Sequence, residues 1–312
     1  MRQEFDIASW KGKAVEWVHG NQHKWSENGY WYKEDFPDRP EAAGEFLVTQ
    51  ILRSSNASGF AEYDLINAEK NDEITHYCVS KDFLTNGRPI ESFTEREQEI
   101  LPLLKTAYDI LRDHYMELDT GRNPVGWWGI YNRVTKNMSN KERIQNFVSV
   151  VEEETGLQDF GGYFTQLCEL DALTRNVDRH LRNICVVFLP AEYRYSYSPI
   201  FDNGASFSST TPYSFRTMRS PDDELFPQLK PCGLFGKDFE KNVAICHELY
   251  GPRLQILNTL NLDPAFAKVE EFYDQTVANK MRCVWNRAKG LHKDLFVDKI
   301  TQQPINEFYL YR

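Results

Sequence analysis

The sequence predicts an α+β protein with two lobes, a small β-rich lobe over residues 1–86 and a larger, mainly helical lobe over residues 87–312. In the first lobe, short segments of alternating apolar residues are separated by turn residues. In the second, Ser or Thr followed three positions later by Glu precedes apolar residues at helical spacing, which is typical of helix starts. One pair of segments rich in β-branched and aromatic residues interrupts the helices.

The small lobe begins with two apolar segments, residues 14–18 and 29–33, which we expect to be strands. The loop between them, residues 20–29, has a glycine at each end. Such a loop can lay its backbone N–H groups over nucleotide phosphates, but this one has no G-x-G-x-x-G spacing. An ordinary hairpin is the alternative, and the sequence leaves both open.

A helix and two further strands complete the small lobe. Residues 41–52 carry apolar side chains at helical spacing, which predicts a helix. Residues 63–66 and 76–80 are predicted strands, with a turn at 71–72 between them. The chain then breaks this pattern, and residues 79–83 are the predicted connection between the lobes.

Beyond residue 90 the predicted elements are mainly helices. Two pairs of residues have the spacing of a capping box, in which each member satisfies a backbone N–H of the other. They are Thr94 with Glu97 and Ser139 with Glu142. A further helix is predicted over residues 160–173. One long helix is predicted from residue 263 to 285, with Asp263 as its cap and Pro264 in its first turn.

A strand pair inside the helical lobe is flanked by distinctive polar residues. Residues 184–189 are apolar, residues 194–201 alternate, and Pro190 begins a turn between them, so a hairpin is predicted. Asn183 precedes the first strand and Asp202 follows the second, which brings both to the open end of the hairpin. Mg²⁺ prefers such oxygen ligands, and it commonly takes one or two from protein and the rest from water and phosphates.

Asp178 lies five positions before Asn183, so a short loop can hold its carboxylate near the same end of the hairpin. The order D-x-x-x-x-N, hairpin, Asp meets the needs of the kinase reaction. There, one carboxylate orients the hydroxyl that attacks the γ-phosphate, while an Asn and an Asp hold metal. The sequence therefore predicts phosphoryl transfer that uses ATP and Mg²⁺.

Lys33 and Glu45 are candidates for a second kinase feature. In kinases, a strand lysine binds the α- and β-phosphates and is oriented by a glutamate of the next helix. Glu41 competes with Glu45 for this role, because one helical turn separates them and places both on one face. Without the downstream motif, Lys33 and Glu45 would be interpreted as ordinary surface residues.

The connection between the lobes is where kinases usually contact adenine through the backbone, and Val79, Lys81 and Phe83 are the candidate nucleotide contacts there. His180 follows Asp178 by two positions. It is expected either to shape the loop by hydrogen bonding or to contact phosphate.

Residues 176–183, Asn-Val-Asp-Arg-His-Leu-Arg-Asn, and residues 198–204, Ser-Pro-Ile-Phe-Asp-Asn-Gly, resemble the catalytic core of the HipA-like serine/threonine protein kinases. The resemblance includes the short members of this family, the cell-translocating kinase A type, and the chain is expected to lack the extra amino-terminal subdomain of the toxin kinases. It implies a two-lobed protein-kinase-like fold, ATP and Mg²⁺ as cofactors, and a Ser or Thr hydroxyl of a protein substrate as acceptor. Self-phosphorylation is compatible with it.

Carried over residue by residue, the resemblance makes Asp178 the catalytic base and assigns metal binding to Asn183 and Asp202. It repeats the assignment of Lys33 and Glu45 to the nucleotide phosphates. Asp178, Lys33 and Asn183 are therefore the catalytic candidates.

Other polar residues near this motif have either a functional or an ordinary structural interpretation. At most one of Arg175, Arg179 and Arg182 is expected to be functional, because arginines around a loop are often solvated or paired. Residues 206–213 are rich in hydroxyl groups. They are expected to be either an activation-type loop that accepts phosphate or a polar loop without a regulatory role.

The composition of the chain narrows the possible binding partners and cellular locations. A net charge of −10 disfavours non-specific attraction to nucleic acid and anionic membranes. No apolar run approaches the roughly 20 residues of a membrane span, and the amino terminus has no signal-peptide core. A cytosolic protein is expected, with secretion by a signal-independent route still open. The six cysteines show no C-x-x-C pairing and are expected to be reduced thiols. The oligomeric state is left open.

Three rival functions remain at this stage. A catalytically inactive kinase-like binding module is one, although it has no need to keep Lys33, Asp178, Asn183 and Asp202 together. A metal-dependent hydrolase is another, although it has no use for a lysine and a helix glutamate in a separate β-rich lobe. A kinase that acts on a lipid or small-molecule hydroxyl is the third, because the same core activates any hydroxyl.

Overall fold

The computed structural model describes residues 22–70, 73–117, 127–210, 226–232 and 235–303. The β-strands are β1 (Lys24–Glu27), β2 (Tyr30–Glu34), β3 (Tyr63–Lys70), β4 (Glu73–Lys81), β5 (Leu103–Thr106), β6 (Cys185–Leu189), β7 (Arg194–Tyr197), β8 (Ile256–Leu257) and β9 (Phe296–Val297). The α-helices are α1 (Glu41–Leu52), α2 (Glu95–Gln98), α3 (Ala107–Glu117), α4 (Trp127–Thr135), α5 (Asn140–Thr155), α6 (Phe160–Thr174), α7 (Phe239–Tyr250), α8 (Asp263–Phe272) and α9 (Gln275–Leu291).

In the described part of the small lobe, an antiparallel sheet has the strand order β1-β2-β4-β3. Its first hairpin turns through Asn28 and Gly29, whose φ angles of 51° and 79° are those of a tight two-residue turn. The described part of the 20–29 loop is therefore a hairpin, the second of the two alternatives, while phosphate binding by its backbone stays a prediction. The predicted strand at 14–18 lies outside the described residues.

Helix α1 is buried along nearly its whole length, because the small sheet packs on one side and the large lobe on the other. The carboxylate Oδ1 of Asp35 accepts a hydrogen bond from the backbone N–H of Ala42 at 2.8 Å and so holds the start of the helix. Gly44 is required by a close crossing, because a Cβ added there would lie 2.4 Å from the carbonyl oxygen of Gly204.

The large lobe is organised around α6, which is almost entirely buried, with α5, α7 and α9 packed against it. The predicted hairpin is present as β6 and β7, and β5 extends it to three strands. Both predicted capping boxes are confirmed, at the starts of α2 and α5.

The prediction of one long helix from 263 to 285 is wrong. The chain forms α8 and α9 instead, separated at Tyr273 and Asp274. The Asp274 side chain accepts the backbone N–H of Val277 at 2.8 Å, and this cap starts a new helix. The hydroxyl of Tyr273 donates to Asp35 Oδ2 at 2.6 Å, which ties the corner between the two helices to the small lobe.

The six cysteines are free thiols, as predicted. No helix among the residues described above is long and apolar enough to cross a membrane.

Candidate active site

A cleft of about 800 Å³ lies between the lobes. Strands β2 and β4 and the start of α1 form its upper wall, while the loop after α6 and the residues after β7 form its floor. Lys33, Asp178, Asn183 and Asp202 all line it. The structure thus brings together four predicted site residues that are far apart in the sequence.

Lys33 holds two carboxylates on the upper wall of the cleft. Its Nζ donates to Glu45 Oε1 at 2.6 Å and to Asp202 Oδ1 at 2.8 Å. Burial opposes the lysine charge, but Asp202 and Glu45 outweigh burial and hold the pKa of Lys33 well above its usual value. The ammonium group therefore stays charged inside the protein.

Glu45, and not its competitor Glu41, is the partner of Lys33. The second oxygen of Glu45 accepts the backbone N–H of Asn203 at 2.8 Å, so one buried carboxylate joins β2 to the residue that follows Asp202. Glu41 lines the cleft one turn earlier. Burial raises the pKa of Glu41 to about 7, with Arg39 opposing the shift and Asp202 adding to it.

Asp202 has a φ of 56°, an unusual backbone conformation for a residue with a side chain. Burial alone would raise its pKa, but Lys33 and then Lys24 reverse the effect and hold the pKa of Asp202 well below its usual range. The side chain is therefore a carboxylate at neutral pH, as a metal ligand must be.

Lys24 is a cleft residue that the sequence analysis missed. It pairs with Lys33 in the register of β1 and β2, lines the cleft, and has its Nζ 3.8 Å from Asp202 Oδ1. Burial and the charge of Lys33 lower the pKa of Lys24. The sequence signal that would have found it is Asn28-Gly29, a two-residue hairpin turn that pairs Lys24 with Lys33 on one face.

On the floor of the cleft, the loop after α6 presents Asp178. The side chain of Asp178 is 59% exposed. Partial desolvation raises its pKa, His180 opposes the shift, and Asp202 adds to it. Asn183 Nδ2 donates to the backbone oxygen of Asp178 at 2.9 Å, which fixes the loop and leaves Oδ1 as the atom the amide can offer to a metal.

Arg179 joins the loop to the neighbouring elements. It is buried, and it donates to both oxygens of Asp171 on α6 at 3.1–3.2 Å. It also donates to the backbone oxygens of Asn183 and Phe201 and, at 2.5 Å, to Asn203 Oδ1. One side chain thus fixes the segments on both sides of the metal candidates, so Arg179 is the structurally important member of the three arginines.

The other two arginines have different surroundings. Arg175 is buried against Phe226 and pairs with Glu240 at 2.5 Å, away from the cleft. Arg182 lines the cleft, and its guanidinium lies 4.6 Å from the centre of the Tyr108 ring. His180 also lines the cleft, with Nε2 3.8 Å from Asp178 Oδ2, a position that suits either of its two predicted roles.

The connection between the lobes has one part that faces the cleft and one that does not. Phe83 lines the cleft together with Ser80 and Asp82. Val79 and Lys81 do not line it. They border a second groove, which shares Tyr63, Ser80, Asp82 and Phe83 with the cleft.

The hydroxyl-rich segment after Asp202 is described as far as Thr210. Ser206, Ser208 and Ser209 are buried, and Ser206 Oγ donates to Thr174 Oγ1 at 3.2 Å. Burial keeps these three hydroxyls from accepting phosphate while this fold persists. Residues 211–213 lie outside the described part.

The residues at the open end of the hairpin fit a divalent cation that shares its ligands with phosphates. Asn183 supplies an amide oxygen and Asp202 a charged carboxylate, which is the hard-oxygen donor set of Mg²⁺. Lys33 Nζ binds Asp202 Oδ1, so a cation held by Asp202 would share this carboxylate with the ammonium group.

Comparison with known proteins gives a match at the level of structure. No family model matches the chain, and no curated protein matches its sequence. The chain is similar in structure to the proinflammatory kinase CtkA of Helicobacter pylori, with a TM-score of 0.57, 16% identity, and coverage of 88% of this chain and 92% of that one. A second similar structure is the Shewanella oneidensis MR-1 toxin–antitoxin system HipA, HipB with its operator DNA, with a TM-score of 0.45, 14% identity, and coverage of 92% of this chain and 67% of that one.

The similarity to CtkA confirms the predicted fold class. The chain has a kinase-like fold with a small antiparallel-sheet lobe and a mainly helical lobe. The boundary at residue 86 and the roles of individual residues remain predictions.

Proposed function

We propose that the chain is a protein kinase of the HipA-like type, which uses ATP and Mg²⁺ to phosphorylate Ser or Thr hydroxyls of a protein substrate. The observation that carries the proposal is the convergence of Lys33, Asp178, Asn183 and Asp202 on one cleft between the lobes. Fold alone does not define an activity, but these side chains supply the groups that phosphoryl transfer needs.

Each residue has a role that follows from its contacts. Lys33, positioned by Glu45, binds the phosphates of the nucleotide. Asn183 and Asp202 hold Mg²⁺, which when bound neutralises charge on the phosphate oxygens. Asp178 accepts a hydrogen bond from the acceptor hydroxyl and then its proton, and its raised pKa suits a proton acceptor.

The bond changes in the transfer are simple. The acceptor oxygen forms a bond to the γ-phosphorus, and the bond from that phosphorus to the bridging oxygen breaks. The electron pair leaves with ADP, and the hydroxyl proton ends on the Asp178 carboxylate. The exposed position of Asp178 leaves room for a large acceptor such as a protein loop.

The test is transfer of label from γ-labelled ATP in the presence of Mg²⁺, to the protein itself and to a generic protein substrate. Asp178→Ala is expected to lower the rate by about 10²- to 10⁴-fold, the usual contribution of a general base. It should leave the unfolding temperature and ATP binding unchanged. Asp113→Ala, at an exposed carboxylate of α3, is the matched control and should keep full activity.

Other results would replace the proposal. Stabilisation by ATP without label on any protein would favour an inactive binding module or a lipid or small-molecule acceptor. Absence of both label and ATP-dependent stabilisation would rule out the nucleotide site. Equal loss of folding in Asp178→Ala and Asp202→Ala would show that these carboxylates are structural.

A further inference from the structure

The first hairpin of the small sheet places two lysines side by side on the cleft wall. Lys24 and Lys33 are directly paired residues of β1 and β2. On the opposite face, the rings of Trp25 and Tyr32 stack at 5.4 Å, with Tyr77 edge-on to Trp25. This aromatic cluster opposes a one-residue slip of the hairpin, because a slip would turn the aromatic rings into the cleft and the lysines out of it.

The two lysines share one carboxylate oxygen. Asp202 Oδ1 lies 2.8 Å from Lys33 Nζ and 3.8 Å from Lys24 Nζ. Lys33 has Glu45 as a second partner. Within the described residues, Asp202 is the one acidic group in ion-pair range of Lys24, whose side chain is only 13% exposed.

The charges on this cleft wall balance only while both carboxylates take part, because Lys24 and Lys33 face Asp202 and Glu45. Two ammonium groups face Asp202, and Glu45 offsets part of that charge from behind Lys33. Like charges on directly paired strand residues are unfavourable unless an anion lies between them. Lys24 lines the cleft and has Asp202 as its ion-pair partner at 3.8 Å, so engagement of that carboxylate by another ligand would leave Lys24 without its partner.

We propose that Lys24 is a second phosphate-binding lysine, and that Lys24 and Lys33 together bind the polyphosphate chain of the nucleotide when Asp202 turns to its metal. The inference rests on the proposed function and extends it. In the structure, Asp202 takes the place of the phosphates as counter-ion for both lysines. A metal ion held by Asp202 would take up the charge of that carboxylate, and the two ammonium groups would then pair with the nucleotide phosphates.

A phosphate-binding lysine and a structural lysine differ in which ligand affinities they affect. A residue that binds phosphate contributes to the affinity for ATP and for inorganic tripolyphosphate, and it contributes nothing to the affinity for adenosine. A residue that only supports the fold alters all three affinities together, or none of them.

Calorimetric titration of the full chain with Mg·ATP, Mg·tripolyphosphate and adenosine is the experiment. For Lys24→Met we expect the affinities for ATP and tripolyphosphate to fall roughly tenfold or more, as for loss of a charged hydrogen bond, with adenosine unchanged. Lys141→Met, at an exposed lysine of α5 that pairs with Glu248, should match the wild type throughout.

Failure of this inference and failure of the proposed function have different signatures. Wild-type protein that binds ATP, with Lys24→Met binding it equally well, would overturn the role of Lys24 and leave the kinase proposal standing. A parallel loss of adenosine affinity would also overturn it. Wild-type protein that binds neither ATP nor tripolyphosphate would overturn both proposals.

A second comparison covers the case in which Lys24→Met does not fold. Asp202→Asn and the double variant Lys24→Met/Asp202→Asn are titrated with tripolyphosphate in buffer without Mg²⁺. Asp202→Asn should bind tighter than wild type, because the competing carboxylate is gone. The double variant, which removes the cation together with its partner, should bind roughly tenfold more weakly than Asp202→Asn. Equal affinities of the two variants would overturn the proposal.

Discussion

The two sides of the cleft are built differently. Its phosphate side, formed by Lys24, Lys33, Glu45 and Asp202, consists of side chains that are at most 25% exposed and are held by ion pairs at 2.6–3.8 Å. Its acceptor side presents Asp178, which is 59% exposed and is held mainly through the backbone of its loop. One side therefore has its charged groups already assembled, and the other is open to solvent; in the proposed function the first would bind nucleotide and metal and the second would admit the acceptor.

Pre-assembly has a physical cost that the phosphate side must offset. Buried charges are tolerated only when each has partners, and removal of one partner leaves the others uncompensated. The acceptor side, in contact with water, has no such constraint. Variants on the two sides should therefore differ in stability as well as in activity.

Lys33→Met should have the largest effect, because it leaves Glu45 and Asp202 facing each other without their shared cation. We expect a loss of about 3–5 kcal/mol in the free energy of unfolding at pH 7, together with loss of transfer. Urea denaturation measures the first and labelled ATP the second. Asp178→Ala is the acceptor-side comparison, and its unfolding free energy should change by less than about 1 kcal/mol.

The stability difference between Lys33→Met and wild type should depend on pH. In wild-type protein the pKa of Asp202 is lowered on folding, so this carboxylate stabilises the fold at every pH above its pKa in the unfolded chain. That stability is lost only as the pH falls through the low pKa of the folded state. In Lys33→Met the two carboxylates repel without their shared cation, so the pKa of Asp202 rises and its protonation relieves the repulsion. Lys33→Met should therefore lose less stability, relative to wild type, at pH 5 than at pH 7. A constant difference between the two pH values would contradict the pre-assembled ion-pair site.

Gly44→Ala should have an intermediate effect by separating α1 from the segment after Asp202. The added Cβ would lie 2.4 Å from the carbonyl oxygen of Gly204, so the helix has to shift and carry Glu45 with it. We expect a loss of about 1–3 kcal/mol in stability, typical of overpacking, and a clear loss of ATP affinity. Thermal unfolding and calorimetric titration are the measurements.

Gly290→Ala is the matched control, because an added Cβ there meets nothing within 4 Å. It should be neutral or stabilising by up to about 1 kcal/mol, as expected for Gly to Ala in a helix. If the two glycine variants behave alike, the close crossing of α1 is not what holds the phosphate side together.

The sequence predicted the elements whose signals are local. Helix α1 has its predicted bounds, the capping boxes start α2 and α5, and β6 and β7 place Asn183 and Asp202 at one end of a hairpin. In each case the residues that determine the element are neighbours in the chain, so periodicity and capping are enough to find them.

The features that the sequence did not predict depend on contacts between distant residues. Arg179 is defined by Asp171 and Asn203, and the break between α8 and α9 is accompanied by the bond from Tyr273 to Asp35, which is remote in the sequence. Nothing in the spacing of these residues marks them as partners. Glu45 was predicted as the partner of Lys33, but the contact of its second oxygen with the backbone N–H of Asn203 was not.

His247 and Glu169 form an ion pair remote from the cleft. This pair is the comparison for the loss of stability when a charge outside the cleft is removed. His247 Nε2 lies 2.6 Å from Glu169 Oε1, and the buried Glu169 also accepts the backbone N–H groups of Arg253 and Leu254. The hydrogen bond to Glu169, opposed by burial and supported by the charges of Glu169 and Asp294, raises the pKa of His247.

Removing the charge of His247 should have the smallest effect on the free energy of unfolding. The linkage between protonation and folding gives the sign of its pH dependence. A histidine whose pKa is raised on folding contributes stability that is fully present below its unfolded value, about 6.5, and is lost as pH rises through the folded pKa. His247→Gln keeps a neutral donor and removes the charge, so wild type should exceed it by about 1 kcal/mol at pH 6 and by nearly nothing at pH 9. Urea denaturation at the two pH values measures this. If His247→Gln lost as much free energy of unfolding as Lys33→Met, the phosphate side would depend on its cations no more than the rest of the fold does. Solvent access alone would then explain the contrast between the two sides of the cleft.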